Sequence, residues 1–161
     1  MIGKGGMGEV LRAYDPVCKR EVAIKRIRRD IKSRNKNLMQ RFLNEAQITA
    51  QLTHPGVISI YSIHKEATSL YYVMPYVRGK NLKQILKEAH AWEREAPIAS
   101  LLPIFRNVCQ TLSYTHANVF IHRDIKPDNI LVGEFGEVII LDWGIAKRLD
   151  EEEGAYSKVL E

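Results

Sequence analysis

Leu38, Phe42, Glu45, Ile48 and Leu52 recur at spacings of three and four, the period that places side chains on one face of an α-helix. Thr53-His54-Pro55-Gly56 would end that helix, so the pattern predicts helix from about residue 37 to 52. Four of the five face residues are apolar and the fifth is a carboxylate. An acid on a buried face is costly unless something cationic meets it there. The economical partner is Lys25, which closes the alternating run Val22-Ala23-Ile24-Lys25 on a predicted strand. That pairing sets a strand against a helix and constrains the fold more than any other feature of the chain.

The remaining pattern follows from it. Residues 9–14 and 21–25 alternate on either side of an Asp15-Pro16 turn and read as a β-hairpin. Residues 57–63 and 70–77 read as two further strands joined by the polar loop 66–69. Asn81 is a plausible N-cap for a helix that gathers Leu82, Ile85, Leu86 and Ala89 on one side. A longer helix is expected from Ser100, with Leu101, Phe105, Val108 and Leu112 inward and Pro103 in its first turn. Short apolar runs at 119–121, 130–132 and 138–141 are separated by polar loops. The order predicts an α+β chain, with a β-rich unit over residues 1–75 and a helical one over 76–161.

Composition narrows the class. With 45% hydrophobic and 27% charged residues, the chain is no disordered tail, collagen-like repeat or membrane bundle. No apolar run approaches the roughly 20 residues of a transmembrane helix, and the first residues lack the apolar stretch of a signal peptide. Cys18 and Cys109 have no metal-ligand spacing and read as reduced thiols, so a cytoplasmic location is expected. The net charge of +5 is concentrated in residues 19–41. No aromatic side chains are interleaved there for base stacking, so a solvated basic face is favoured and no nucleic-acid partner is expected.

Gly3-Lys4-Gly5-Gly6-Met7-Gly8 fits G-x-G-x-x-G, which alone is a weak signal. The residues after Gly8 alternate as a strand, which argues against a Rossmann turn, and no Gly-Lys-Ser/Thr follows for a Walker loop. What remains is a glycine flap on a hairpin, whose backbone N–H groups can approach phosphates. Val10 would offer an apolar surface to an adenine. A lysine held by Glu45 beside such a flap can orient phosphates. The strongest cluster is His122-Arg123-Asp124-Ile125-Lys126-Pro127-Asp128-Asn129, followed by Leu141-Asp142-Trp143-Gly144. Asp124 can accept a hydroxyl proton, Lys126 can neutralise a phosphoryl group in transfer, and Asn129 and Asp142 offer oxygen ligands to Mg²⁺.

These motifs resemble those of the eukaryotic-type (Hanks-type) serine/threonine protein kinases, bacterial branch, whose signature set they match in order. Met74-Pro75-Tyr76 and Leu141-Asp142-Trp143-Gly144 are similar to the chlamydial PknD-type members of that family. The resemblance implies a bilobal kinase fold with an incomplete helical lobe. It implies ATP-dependent phosphorylation of protein serine and threonine hydroxyls, with autophosphorylation among the outcomes and Mg²⁺, or Mn²⁺ in its place, as the metal. By the same likeness Asp124, Lys126 and Lys25 are catalytic, and Asn129 and Asp142 bind metal. Residues around the nucleotide would be Ile2, Gly3, Lys4, Gly5, Gly6, Met7, Gly8, Glu9, Val10, Ala23, Lys25, Glu45, Met74, Tyr76 and Val77. Trp143 stands where the family usually has Phe, which keeps an aromatic plug and adds an indole N–H. A non-catalytic nucleotide-binding scaffold is the competing class, and the presence of Lys25, Glu45, Asp124, Asn129 and Asp142 argues against it. No Ala-Pro-Glu motif occurs, so a segment of a longer kinase is expected, weakly active or inactive by itself.

Overall fold

The computed structural model describes residues 2–4, 8–28, 36–65, 70–91 and 98–150. Strands β1 (Gly3–Lys4), β2 (Gly8–Asp15) and β3 (Arg20–Ile27) form an antiparallel meander. Its β2–β3 turn is built by Asp15, whose Oδ1 accepts the backbone N–H groups of Val17 and Cys18 at 3.1 Å. Those donors lower the Asp15 pKa, and they explain why Asp-Pro turns the chain here. Strands β4 (Ser62–Lys65) and β5 (Leu70–Pro75) complete a five-stranded sheet of order β1-β2-β3-β5-β4.

Helix α1 (Lys36–Gln51) lies on this sheet. Phe42, Ile48 and Leu52 are buried as the periodicity predicts, Glu45 is buried among them at 2% exposure, and Ala46 joins them. Phe42 and Ala46 pack with Ile27, Leu70 and Tyr72 from the sheet. Fully burying one such apolar side chain is worth about 1.5–3 kcal/mol, so the helix is held chiefly by this face.

The expected strand over 57–63 is corrected: β4 begins only at Ser62, after the Tyr61 N–H has donated to the Val73 carbonyl at 2.8 Å. Val57 makes a lone parallel bridge to Ile140, and the Ile140 N–H donates to the Gly56 carbonyl at 2.8 Å. Val57 and Ile58 are apolar because they pack between elements, at 3% and 8% exposure, and their alternation mimicked a strand. Gly56 permits the closest of these approaches, since a Cβ there would sit 1.9 Å from the Thr111 hydroxyl.

The rest of the chain carries β6 (Gly79–Asn81), α2 (Leu82–Ala91), α3 (Ile98–Ala117), β7 (Phe120–Ile121), a 3₁₀ turn (Pro127–Asn129), β8 (Ile130–Gly133), β9 (Val138–Ile140) and β10 (Lys147–Arg148). A three-stranded sheet has the order β6-β8-β9, and β7 pairs with β10. Asn81 caps α2 as expected. Its Oδ1 accepts the Gln84 N–H at 2.8 Å while Gln84 Oε1 accepts the Asn81 N–H at 2.9 Å, a reciprocal capping box.

Helix α3 departs from expectation in two ways. It starts earlier, so Pro103 lies inside it; the ring is exposed and water can reach the carbonyl left without a donor. Phe105 points outward at 66% exposure, and the inward face is Ile104, Val108, Thr111, Leu112 and Thr115. The apolar residues of this helix form two stripes, and the buried one is chosen by two fully buried threonines. Thr111 and Thr115 satisfy their hydroxyls on the Asn107 and Leu112 carbonyls, at 2.8 and 3.1 Å. The core below the first sheet joins Ile48 and Leu52 of α1 to Val108, Phe120, Ile140 and Trp143. No helix among the described residues is long and apolar enough to cross a membrane.

Candidate active site

Lys25 and Tyr72 face each other across the β3–β5 ladder, and Lys25 faces Val10 across β2–β3. Side chains opposite each other in a ladder leave the sheet on one side, here toward α1. There the Lys25 ammonium donates to Glu45 Oε1. The lysine side chain keeps 17% of its surface exposed and Glu45 only 3%, so the charged tip of Lys25 is shared between the carboxylate and the space beside it. The cation that the helix face demanded is in place.

That space is a cavity of about 460 Å³. Gly3, Gly8, Val10, Lys25, Glu45 and Met74 line it from the five-stranded sheet and α1, and Asn129, Leu141, Asp142 and Trp143 line it from the loops around β8 and β9. A Cβ at position 8 would be a tight contact, 3.0 Å from the Arg26 carbonyl oxygen.

The loop 122–129 is fixed from beneath. His122 is 1% exposed; its Nδ1 accepts the Asp124 N–H at 3.2 Å and its Nε2 donates to the Leu141 carbonyl at 2.9 Å. The Leu141 N–H in turn donates to the Asn129 carbonyl at 2.8 Å, which ties the two motifs together. Asn129 Nδ2 donates to the Asp124 carbonyl at 2.9 Å and to Asp124 Oδ2 at 3.0 Å. Lys126 Nζ donates to the same Oδ2 at 2.7 Å. Both side-chain bonds fall on Oδ2, leaving Oδ1 outside them. The Lys126 hydrogen bond, which outweighs the opposing effect of burial and is aided by that of Asn129, holds the Asp124 carboxyl below the usual carboxylate range. Asp124 is therefore ionised at neutral pH.

Two backbone positions here are strained. Arg123 and Asp142 sit at φ of 66° and 62°, in the left-handed region that non-glycine residues adopt only when the surroundings impose it. Arg123 Nε donates to the Ile145 carbonyl at 2.6 Å. Trp143 is 1% exposed and its indole N–H donates to the Ile140 carbonyl at 3.2 Å. The aromatic plug is thus seated, and the added N–H is satisfied.

Of the residues singled out from sequence, Gly3, Gly8, Val10, Lys25, Glu45, Met74, Asn129 and Asp142 converge on the cavity. Asp124 and Lys126 stand beside it through Asn129. Ile2 is half exposed, Glu9 is drawn off to Arg26 at 2.7 Å, and Ala23 is buried in the sheet. Tyr76 lies under the Arg12 guanidinium, 4.9 Å from its ring centroid, and Val77 lines a separate cavity with Pro75 and His54. Gly5, Gly6 and Met7 lie outside the described residues. Sequence reasoning missed Thr49, Ile58 and Tyr72 in the lining. Tyr72 was within reach, because it sits two places before Met74 on a strand and so shares its face. Ile58 gave no signal.

A small antiparallel sheet whose lysine is clamped by a helix carboxylate, above a rigid loop carrying an ionised aspartate, is the framework of a protein kinase, and the chain belongs to the protein kinase domain family. That family's model matches residues 1–160. The chain is similar to serine/threonine-protein kinase PknD of Chlamydia caviae, with 48% identity over 168 aligned residues that cover 99% of this chain and 18% of the relative. The Chlamydia trachomatis (serovar D) PknD is 50% identical over 155 residues, 91% of this chain and 16% of its own. The Protochlamydia amoebophila PknD is 46% identical over 158 residues, 93% and 16%. The chain therefore spans less than a fifth of the length of these relatives. The likeness to chlamydial kinases anticipated from the Met74-Pro75-Tyr76 and Asp-Trp-Gly motifs holds.

Proposed function

We propose that this chain carries the ATP site and the catalytic loop of a serine/threonine protein kinase, which transfers the γ-phosphoryl group of ATP to serine and threonine hydroxyls of proteins. The observation that carries the reading is the single cavity that joins the clamped Lys25 to Asn129 and Asp142, with ionised Asp124 bonded to that asparagine. In this reading residues 1–75 hold the nucleotide and residues 76–161 begin the lobe that brings in the acceptor. The named function of the relatives, serine/threonine-protein kinase, supports it, and a cytoplasmic location is part of the same reading.

The residues fit nucleotide and metal. Val10 and Met74 offer apolar walls to a base. Lys25, kept in place by Glu45, presents a fixed positive charge for the α- and β-phosphates. Asn129 uses its amide nitrogen on Asp124, which leaves its amide oxygen as a donor atom for the cavity that Asp142 also lines. Two such oxygens suit a hard cation that takes its remaining ligands from phosphates and water, as Mg²⁺ does, with Mn²⁺ as the alternative. When bound, the metal nucleotide supplies the transferable phosphoryl group and spreads its charge. Asp124 orients the acceptor hydroxyl and takes its proton, and Lys126 sets a second positive charge at the same point. Autophosphorylation on exposed hydroxyls belongs to the same reading.

The test is phosphoryl transfer from γ-labelled ATP to serine- and threonine-containing protein substrates by the full-length protein that carries this domain. Transfer that depends on Asp124 is expected. Tight Mg·ATP binding with no transfer under any condition would favour the scaffold class instead.

A further inference from the structure

Glu45 Oε1 receives two donors, the Lys25 ammonium and the Tyr72 hydroxyl, the latter at 2.9 Å. Glu45 Oε2 is buried with no hydrogen-bond partner among the described residues. The carboxylate is therefore held through one oxygen only, and each donor to it matters. The two donors differ in stiffness. Lys25 reaches across on a flexible four-carbon stem whose tip is also wanted by the cavity, whereas a tyrosine has two side-chain torsions and a rigid ring.

Tyr72 is 3% exposed and is fixed from several sides. It sits opposite Lys25 in the β3–β5 ladder, and the Lys25 ammonium lies 5.9 Å from its ring centroid. Phe42, one helical turn before Glu45 and fully buried, meets the ring at 5.2 Å between centroids. Burial, then the charge and hydrogen bond of Glu45, push the phenol well above its ordinary range. The hydroxyl thus keeps its proton and is a donor at neutral pH.

We propose that Tyr72 is a positioning residue, whose hydroxyl pins Glu45 and with it helix α1 to strand β5, so that the carboxylate stays in place while Lys25 is shared with nucleotide phosphates. The proposal rests on the kinase reading above. Phosphate in the cavity competes with Glu45 for the lysine, and a carboxylate held by the lysine alone would follow it or swing away. The tyrosine removes that coupling between holding the helix and binding the nucleotide.

Tyr72→Phe keeps the ring and its contact with Phe42 and deletes only the donor. In the full-length protein, KM for ATP is expected to rise about tenfold, as loss of a hydrogen bond to a charged group can produce, with kcat at saturating ATP within about twofold of wild type. A purely structural role predicts the opposite split, because a smaller folded fraction lowers kcat and leaves KM alone. In a Glu45→Gln background the same substitution should change KM less than about twofold, since the charged acceptor is already gone. Tyr72→Met, bulky and without a hydroxyl, is the second variant and should show the same split. An unchanged KM in Tyr72→Phe, or an equal rise with and without Glu45, would overturn the proposal while leaving the kinase reading intact. A wild-type protein that binds no Mg·ATP would overturn both.

Discussion

His122 meets Trp143 edge to face, with ring centroids 4.5 Å apart and planes at 69°. Each belongs to a different motif, and their contact, with the His122–Leu141 hydrogen bond, ties the loop 122–129 to the Asp-Trp-Gly turn. Because the Asp124 N–H occupies Nδ1, the ring is neutral and carries its proton on Nε2. Protonating Nδ1 would expel that backbone donor.

The first prediction concerns pH. Burial lowers the His122 pKa from 6.5, against the opposing effects of the Leu141 carbonyl and the Asp142 and Asp124 charges. The unfolded chain therefore binds a proton here before the folded one does. The stability this provides is complete above about pH 6.5 and is lost as pH falls toward the folded-state pKa. Melting temperatures measured from pH 7.5 to 5 should decline, and more steeply than in His122→Gln. Parallel curves would refute the assignment.

Lys25 and Glu45 should be separable in stability from their role in turnover. Lys25→Met leaves a carboxylate 3% exposed without its cation, which typically costs about 3–5 kcal/mol, whereas replacing both members by apolar residues recovers much of it. Urea unfolding should rank Lys25→Met/Glu45→Met above Lys25→Met. Phosphoryl transfer should fall on the order of 10²–10³-fold in both. Retention of most activity in Lys25→Met would count against the site.

Asp124→Asn and Asp142→Asn should fail differently. Asp142 lines the cavity and Asp124 stands beside it. Titration of labelled ATP with and without Mg²⁺ should find Mg²⁺-dependent affinity kept in Asp124→Asn and weakened in Asp142→Asn, with turnover collapsed in both. Equal Mg²⁺ dependence in the two variants would overturn this division of roles.

Val119, at the end of α3, has φ of 62°, a conformation that is costly for a β-branched residue and free for glycine. Its N–H closes the helix on the His116 carbonyl at 3.0 Å. Val119→Gly should raise stability by about 0.5–1 kcal/mol after the entropic disadvantage of glycine. A denaturation midpoint that falls would show that the half-buried valine side chain matters more than the backbone.

Ile140 of β9, in the core that α3 packs on, and Phe105 on the outer stripe of that helix invite a direct comparison. Ile140, which is fully buried, should lose about 2–5 kcal/mol on substitution by alanine. Phe105, at 66% exposure, should change by less than about 0.5 kcal/mol. Equal losses by urea unfolding would restore Phe105 to the core.

Sequence alone determined the α+β order, the α1 face and the identity of its missing cation, because burying Glu45 is unfavourable without one and that penalty is visible in a helical period. It also marked residues 122–129 as one polar loop between short apolar runs, because those residues are contiguous. Tertiary structure decided what depends on distant surfaces. Alternation in 57–61 could not distinguish pairing from simple burial, since both need apolar side chains; Ile140 and Gly56 made that choice. The apolar stripes of α3 were equivalent until Thr111 met Gly56. The hydroxyl of Tyr72 became a donor to Glu45 only when β5 was laid beside β3, because a hydrogen bond between residues 27 apart leaves no mark on local period or propensity.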